Sequence, residues 1–122
     1  MARILVVDDE ELVCDIVSRF FAQKGYTVLT ADTSERAISI LETTKVDAVL
    51  LDIHLPGPSG LEALRKIRAS WPEIAVVMIS GQQDEDVAKA TLREGAFDYV
   101  VKPLDFDYLE RTIYLKLADR LD

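Results

Sequence analysis

The chain has 122 residues, 49% of them apolar and 30% charged, which suits one folded domain, expected over residues 1–122. Its formal net charge of −8 argues against direct binding to nucleic acid or to an anionic membrane. It has no bilayer-length apolar stretch and no signal-peptide pattern, and its single cysteine, Cys14, has no internal disulfide partner, so a cytoplasmic location is expected.

In chain order, Ile4-Leu-Val-Val7 reads as a first strand that runs directly into Asp8-Asp9. Glu10 to Lys24 repeats apolar residues in helical rhythm at Leu12, Val13, Ile16, Val17, Phe20 and Phe21, and Gly25 stops it. Cys14 lies in this helix and reads as a core residue. Thr27-Val-Leu-Thr30 is a second strand, and it alone lacks a chemically useful ending. Asp32 to Lys45 is a second helix, opened by Asp32-Thr-Ser-Glu35, a capping-box pattern. Ala48-Val-Leu-Leu51 then runs into Asp52.

Ser59 to Ser70 opens with a second such box, Ser59-Gly-Leu-Glu62, and is followed by Trp71-Pro72, with Trp71 expected to pack at the helix end. Ala75-Val-Val-Met-Ile79 runs into Ser80. Asp84 to Glu94 is a fourth helix, stopped by Gly95. Tyr99-Val-Val101 runs into Lys102-Pro103, and Asp105 to Leu121 carries a buried stripe of Leu109, Ile113, Leu117 and Leu121. Tyr108, Tyr114 and Leu115 fall off that stripe.

Continuous apolar strands alternating with helices imply a parallel sheet buried on both faces. Five βα units joined by right-handed crossovers give an α/β, flavodoxin-like doubly wound fold with strand order 2-1-3-4-5. No internal linker or low-complexity segment interrupts them, and no effector domain is expected within the chain. In such sheets ligands bind beyond the carboxyl ends of the strands. Asp8, Asp9, Asp52, Ser80 and Lys102 are therefore expected around one crevice.

Three converging carboxylates either raise a pKa or recruit a cation. An all-oxygen donor set with open positions suits Mg²⁺. A carboxylate can also act as the nucleophile that accepts a phosphoryl group, a reaction helped by a fixed cation such as Lys102 and a hydroxyl such as that of Ser80. Taken singly, each residue has a plainer reading: an acidic helix start, a cap, a loop serine, a surface lysine. All of them at strand ends is a more specific pattern.

Across essentially its full length the chain resembles the receiver domain of two-component response regulators. The motifs that carry the resemblance are Val7-Asp-Asp-Glu10, Asp52-Ile-His-Leu-Pro-Gly-Pro-Ser-Gly60, Ile79-Ser-Gly81 and Ala96-Phe-Asp-Tyr-Val-Val-Lys-Pro103. The resemblance implies that Asp52 is the phosphoacceptor and takes its phosphoryl group from a histidine kinase or histidine phosphotransfer protein. It implies Asp8, Asp9, Asp52 and the backbone carbonyl of His54 as the Mg²⁺ site, and Lys102 as the residue that pairs with the phosphate. It further implies Ser80 and Tyr99 as switch residues, and a cis Lys102-Pro103 peptide. The His54 side chain is expected to face solvent; His54 and Gln82 occupy positions that tune dephosphorylation in relatives.

The implied signal runs through the fourth helix, fifth strand and fifth helix to an output domain or partner, with transcription as the expected process. Tyr108, Tyr114 and Leu115 mark that face as a candidate surface for a phosphorylation-dependent homodimer. On this reading the protein is a phosphoacceptor that assists its own chemistry rather than an enzyme. Two alternatives are a phosphorylation-independent binding module and an aspartate-nucleophile phosphatase. The second is disfavoured because His54 stands where such enzymes typically carry a second Asp.

Overall fold

The computed structural model describes residues 2–57 and 59–121, with side chains through residue 118; Pro58 of the long motif and the Leu121 side chain of the expected stripe lie outside the described residues. Five parallel strands form one sheet: β1 (Arg3–Val7), β2 (Thr27–Ala31), β3 (Ala48–Asp52), β4 (Ala75–Ser80) and β5 (Asp98–Val101). Their order is β2-β1-β3-β4-β5, as the right-handed crossovers require. The helices between them are α1 (Glu11–Gln23), α2 (Ser34–Thr43), α3 (Gly60–Ser70), α4 (Glu85–Arg93) and α5 (Phe106–Leu121).

Strand alternation divides the core into two layers. Ile4, Val6, Leu50, Val77 and Ile79 meet Val17 and Phe21 of α1 and Leu109 and Ile113 of α5. Leu5, Val7, Val49, Leu51, Val76 and Met78 meet Ile38 and Leu41 of α2 and Leu64 and Ile67 of α3. The central strands β3 and β4 are buried throughout, whereas β2 and β5 are only half-buried at the two edges. An edge strand is flanked on one side only, so continuous burial fails there; Thr27 and Thr30 hold the exposed positions of β2, and β5 opens with Asp98.

Cys14 is buried against α1's core face and donates its thiol to the Asp8 carbonyl at 3.4 Å. Trp71 packs against the second layer at the end of α3. Two local expectations change. The cap of α2 is Thr33, whose hydroxyl accepts from the Arg36 N–H at 3.1 Å, and not Asp32, which instead pairs with the Arg36 side chain at 3.5 Å. Leu12 and Ile16, counted in the apolar stripe of α1, are 69% and 45% exposed. Six apolar positions span more of a helix than one sheet face covers, and the surplus faces outward.

Register brings the carboxyl ends into line: Val7 lies beside Leu51, Asp52 beside Ile79, and Ser80 beside Val101. No helix among the described residues is long and apolar enough to cross a membrane.

Candidate functional site

Each polar group of the crevice is delivered by the end of a strand, buried for β1, β3 and β4 and half-buried for β5. Beyond β1, the Asp8 N–H still bonds the Ala31 carbonyl of β2 at 3.1 Å, which fixes Asp8 before the chain turns. Its Oδ1 then accepts from the Glu10 N–H at 2.9 Å and leads the backbone into α1. Asp52 closes β3, and its Oδ1 accepts from the His54 N–H at 3.0 Å while the His54 side chain is exposed. Gly60, the first residue of α3, sits so close to the Asp52 carbonyl and the Ile53 Cα that no Cβ fits there. Its N–H bonds the Ile53 carbonyl at 3.1 Å, so α3 braces the loop below Asp52.

Asp8, Asp9 and Asp52 bring carboxylate oxygens within 4.8 Å of one another, with Asp8 and Asp52 buried and Asp9 exposed. Burial pushes the Asp52 carboxyl above its ordinary value; the His54 N–H opposes this, the Asp8 and Asp9 charges add to it, and Lys102 offsets part of it. Ionised Asp52 is thus held in a costly environment.

Lys102 follows β5, its N–H bonded to the Ser80 carbonyl at 2.7 Å and its peptide to Pro103 cis, as expected. Its Nζ stands 3.1 Å from Asp8 Oδ2, 3.2 Å from Glu10 Oε1 and 3.9 Å from Asp52 Oδ2. Burial alone would lower the Lys102 pKa, but pairing with Asp8 and Glu10 and the charge of Asp52 prevail and raise it. The ammonium therefore stays charged.

The Asp8 contact is an ion pair without hydrogen-bond geometry, and Asp8 Oδ2 is buried with no hydrogen bond at all. A buried, charged oxygen with no partner in this structure beyond the Lys102 ammonium, beside two more carboxylates, fits a hard divalent cation that retains water ligands. The donor set suits Mg²⁺ and lacks any nitrogen or sulfur that would favour a softer metal.

Ser80 is fully buried at the end of β4, but its hydroxyl turns to the following loop. It accepts from the Gln82 N–H at 3.1 Å and donates to the Gln82 carbonyl at 3.0 Å. The Tyr99 hydroxyl donates to that same carbonyl at 3.0 Å. The sequence-predicted residues Asp8, Asp9, Asp52 and Lys102 therefore meet directly, while Ser80 and Tyr99 meet each other through Gln82.

Sequence reasoning missed one participant. Glu10 was part of an acidic run, but only the structure shows its carboxylate crossing to Lys102; the available signal was a third acid in succession at a strand end. A cavity of about 290 Å³ also borders the crevice, lined by Val13, Ile16, Val17, Pro103, Leu104 and Phe106, with Lys102 on its wall. Leu12, also exposed, stands one helical turn before the cavity residue Ile16 on α1.

A family model described as response regulator receiver domain matches residues 4–114. The transcriptional regulatory protein MalR of Bacillus subtilis is 36% identical over 115 residues, covering 93% of this chain and 49% of that protein. A cyclic di-GMP phosphodiesterase of Thermotoga maritima is 30% identical over 118 residues, covering 97% of this chain and 32% of that protein. The crystal structure of a response regulator receiver domain protein from Clostridium thermocellum matches with a TM-score of 0.92 at 32% identity, covering 98% of this chain and 97% of that one. The chain thus spans half or less of the length of these two curated relatives, whose names describe different outputs.

Proposed function

The chain belongs to the receiver-domain family of two-component response regulators, and from that premise we propose that Asp52 accepts a phosphoryl group from the phosphohistidine of a histidine kinase or phosphotransfer protein. The observation that carries this reading is a buried carboxylate, Asp52, facing Asp8, Asp9 and the Lys102 ammonium within a few ångströms. An Asp52 oxygen forms a bond to phosphorus as the donor's P–N bond breaks, and the imidazole leaves with the electron pair and takes up a proton. Lys102 meets the phosphoryl oxygens and stabilises their charge.

Asp8, Asp9, Asp52 and the carbonyl of His54 would hold Mg²⁺, which when bound supplies charge neutralisation at the phosphoryl oxygens. The buried Asp8 Oδ2, which makes no hydrogen bond and only an ion pair with Lys102, supports that assignment. Ser80 leaves Gln82 to donate to the phosphoryl group. Such a bond to a charged acceptor is worth about 1.5–3 kcal/mol, enough to shift a two-state equilibrium roughly ten- to a hundredfold. Freed of its neighbour on the Gln82 carbonyl, Tyr99 changes position and alters the face formed by α4, β5 and α5.

The apolar surface of Leu12, Ile16, Pro103, Leu104 and Phe106 beside the crevice suits the helix of a kinase that must bring its histidine to Asp52. On the other side, exposed Leu92, Phe97, Tyr108 and Leu115 suit an output domain, a transcription-activating module among them, or a second copy after phosphorylation. Tyr114, grouped with them on sequence, lies instead on the other flank of α5, beside Tyr26 and Lys24. Sedimentation that finds a monomer both with and without a phosphate mimic would remove the homodimer from this scheme. The function is that of a cytoplasmic phosphoacceptor rather than of an enzyme acting on an outside substrate.

Intact-mass measurement after incubation with Mg²⁺ and acetyl phosphate tests the core of the reading. The native chain should gain one phosphoryl group; Asp52→Asn, or omission of Mg²⁺, should abolish the gain. A folded native chain that gains nothing would turn the assignment over to a phosphorylation-independent binding module.

A further inference from the structure

We propose that Glu10 is a positioning residue, an electrostatic latch that holds Lys102 in the resting state and must release it when a phosphoryl group occupies the site. This inference rests on the reading of Asp52 as the phosphoacceptor.

Three carboxylates compete for one ammonium, and they differ in kind. Asp8 is buried and fixed by the Glu10 N–H, and its contact with Lys102 lacks hydrogen-bond geometry. Asp52 is the farthest of the three, at 3.9 Å. The contact that does have hydrogen-bond geometry runs from Lys102 Nζ to Glu10 Oε1, at 3.2 Å. Glu10 is also the exposed member of the pair, its side chain 64% accessible against 21% for Lys102.

The local structure explains why Glu10 is available. It is the N-cap residue of α1, in an extended conformation, yet its side chain makes no capping bond. A cap position normally spends its side chain on the first helical N–H groups. Here the carboxylate instead bridges the loop after β1 to the loop after β5, across 92 positions of sequence.

Lys102 Nζ has three N–H donors, but meeting a phosphoryl oxygen on Asp52, its most distant partner at 3.9 Å, requires it to move from the position it holds at 3.2 Å from Glu10. Of its three partners, Glu10 is the one on a solvated, rotatable side chain, so it is the one displaced. The Glu10–Lys102 pair therefore stabilises the unphosphorylated form alone. The Glu10 charge also repels a phosphoryl dianion, which acts in the same direction. An exposed ion pair of this kind changes an equilibrium by about two- to fivefold.

Trifluoroberyllate, a non-covalent phosphoryl mimic, separates the outcomes when titrated into native protein and Glu10→Gln at saturating Mg²⁺, with Asp52→Asn as control. Glu10→Gln should bind the mimic about two- to fivefold more tightly, and the difference should shrink toward one as salt rises to 1 M, because a solvated pair is screened. The ¹⁵N signal of the Lys102 ammonium should also shift in the metal-free Glu10→Gln protein, a readout independent of any loading. A merely structural role would move the melting temperature without this salt dependence. Equal or weaker mimic binding by a folded Glu10→Gln protein overturns the latch and leaves the acceptor reading intact. Failure of the native protein to bind the mimic at all removes the acceptor reading, and the latch with it.

Discussion

Ser80 and Tyr99 share one acceptor: both hydroxyls donate to the Gln82 carbonyl, each at 3.0 Å. The two residues end β4 and lie within β5, so a change at one strand end is felt by the neighbouring strand through the shared carbonyl. When Ser80 turns toward a phosphoryl group, the carbonyl loses one donor and the Gln82 loop loses the turn that the Ser80 hydroxyl holds. Ser80→Ala should accordingly still be phosphorylated at Asp52 but should leave Tyr99 unmoved. Ring signals of Tyr99 in NMR spectra, with and without trifluoroberyllate, check this: they should shift in the native protein and stay in place in Ser80→Ala. An equal shift in both would sever the proposed link.

Asp52 makes a second expectation. Burial raises its pKa, and the charges of Asp8 and Asp9 raise it further, against opposition from the His54 N–H and Lys102. A carboxyl whose folded pKa is raised contributes stability that is fully present below its unfolded value, about 3.8, and is lost as pH rises through the folded value. Above the raised folded value the charged carboxylate costs stability instead. Asp52→Asn removes the charge but keeps an oxygen for the His54 N–H, so without divalent cations it should be more stable than the native chain. A gain of ~1 kcal/mol would raise Tm by about 3–6 °C in a domain of this size. Mg²⁺ should raise the native Tm by mass action and raise that of Asp52→Asn less, narrowing the gap. Thermal melts with Mg²⁺ and with EDTA measure both, and a lower Tm for metal-free Asp52→Asn would refute the account.

Much of this was legible in the chain because the chemistry sits at breaks in hydrophobic pattern. Val7 to Asp8, Leu51 to Asp52, Ile79 to Ser80 and Val101 to Lys102 each mark the point where an apolar strand run gives way to a polar residue at the carboxyl edge of the sheet, and the crossover rule then sets those four points side by side. What was not legible depends on side-chain direction or on the width of a face. Glu10 follows Asp8 and Asp9 in an acidic run, and nothing local says that it reaches Lys102. Leu12 and Ile16 fit the helical period of α1 as well as Val13 and Val17 do, yet the sheet covers only part of that arc. Asp32 and Thr33 are both competent caps one residue apart, and the geometry of entry into α2 decides between them. The resemblance named Gly60 as a motif position; its reason, the near contact with the Asp52 carbonyl, is tertiary.

Tyr26 gives a test remote from the crevice. Its hydroxyl donates to Glu110 Oε2 at 3.2 Å, tying the start of β2 to α5. Burial and then the Glu110 charge and hydrogen bond raise its pKa from 10.0 to about 12. The protonated phenol is therefore favoured by the fold, and its contribution is present below pH 10 and lost as pH rises through about 12. Spectrophotometric titration should show a tyrosine ionising near that value in the native chain and missing in Tyr26→Phe. Denaturant midpoints should fall between pH 9 and pH 11 more steeply for the native protein than for the variant. A native chain whose tyrosines all ionise near the ordinary value would contradict this.

The apolar surface beside the crevice makes the most discriminating prediction about partners. Leu12 and Ile16 are exposed, and neither belongs to the buried core, so their replacement should cost little stability. Neither side chain carries a group that takes part in the chemistry at Asp52, although Ile16 shares a cavity wall with Lys102. Leu12→Ser with Ile16→Ser should therefore leave phosphorylation by acetyl phosphate unchanged, because that donor needs only the crevice. Transfer from a phosphorylated kinase helix needs the docking surface as well. A central apolar anchor typically contributes about 1–2 kcal/mol at an interface, so losing two should slow kinase-dependent transfer by at least tenfold, mainly through weaker association. Parallel time courses with acetyl phosphate and with a phosphorylated histidine kinase domain separate the cases. Equal slowing with both donors would mean that the substitutions disturb the crevice through α1, whereas no slowing with either would place kinase docking elsewhere.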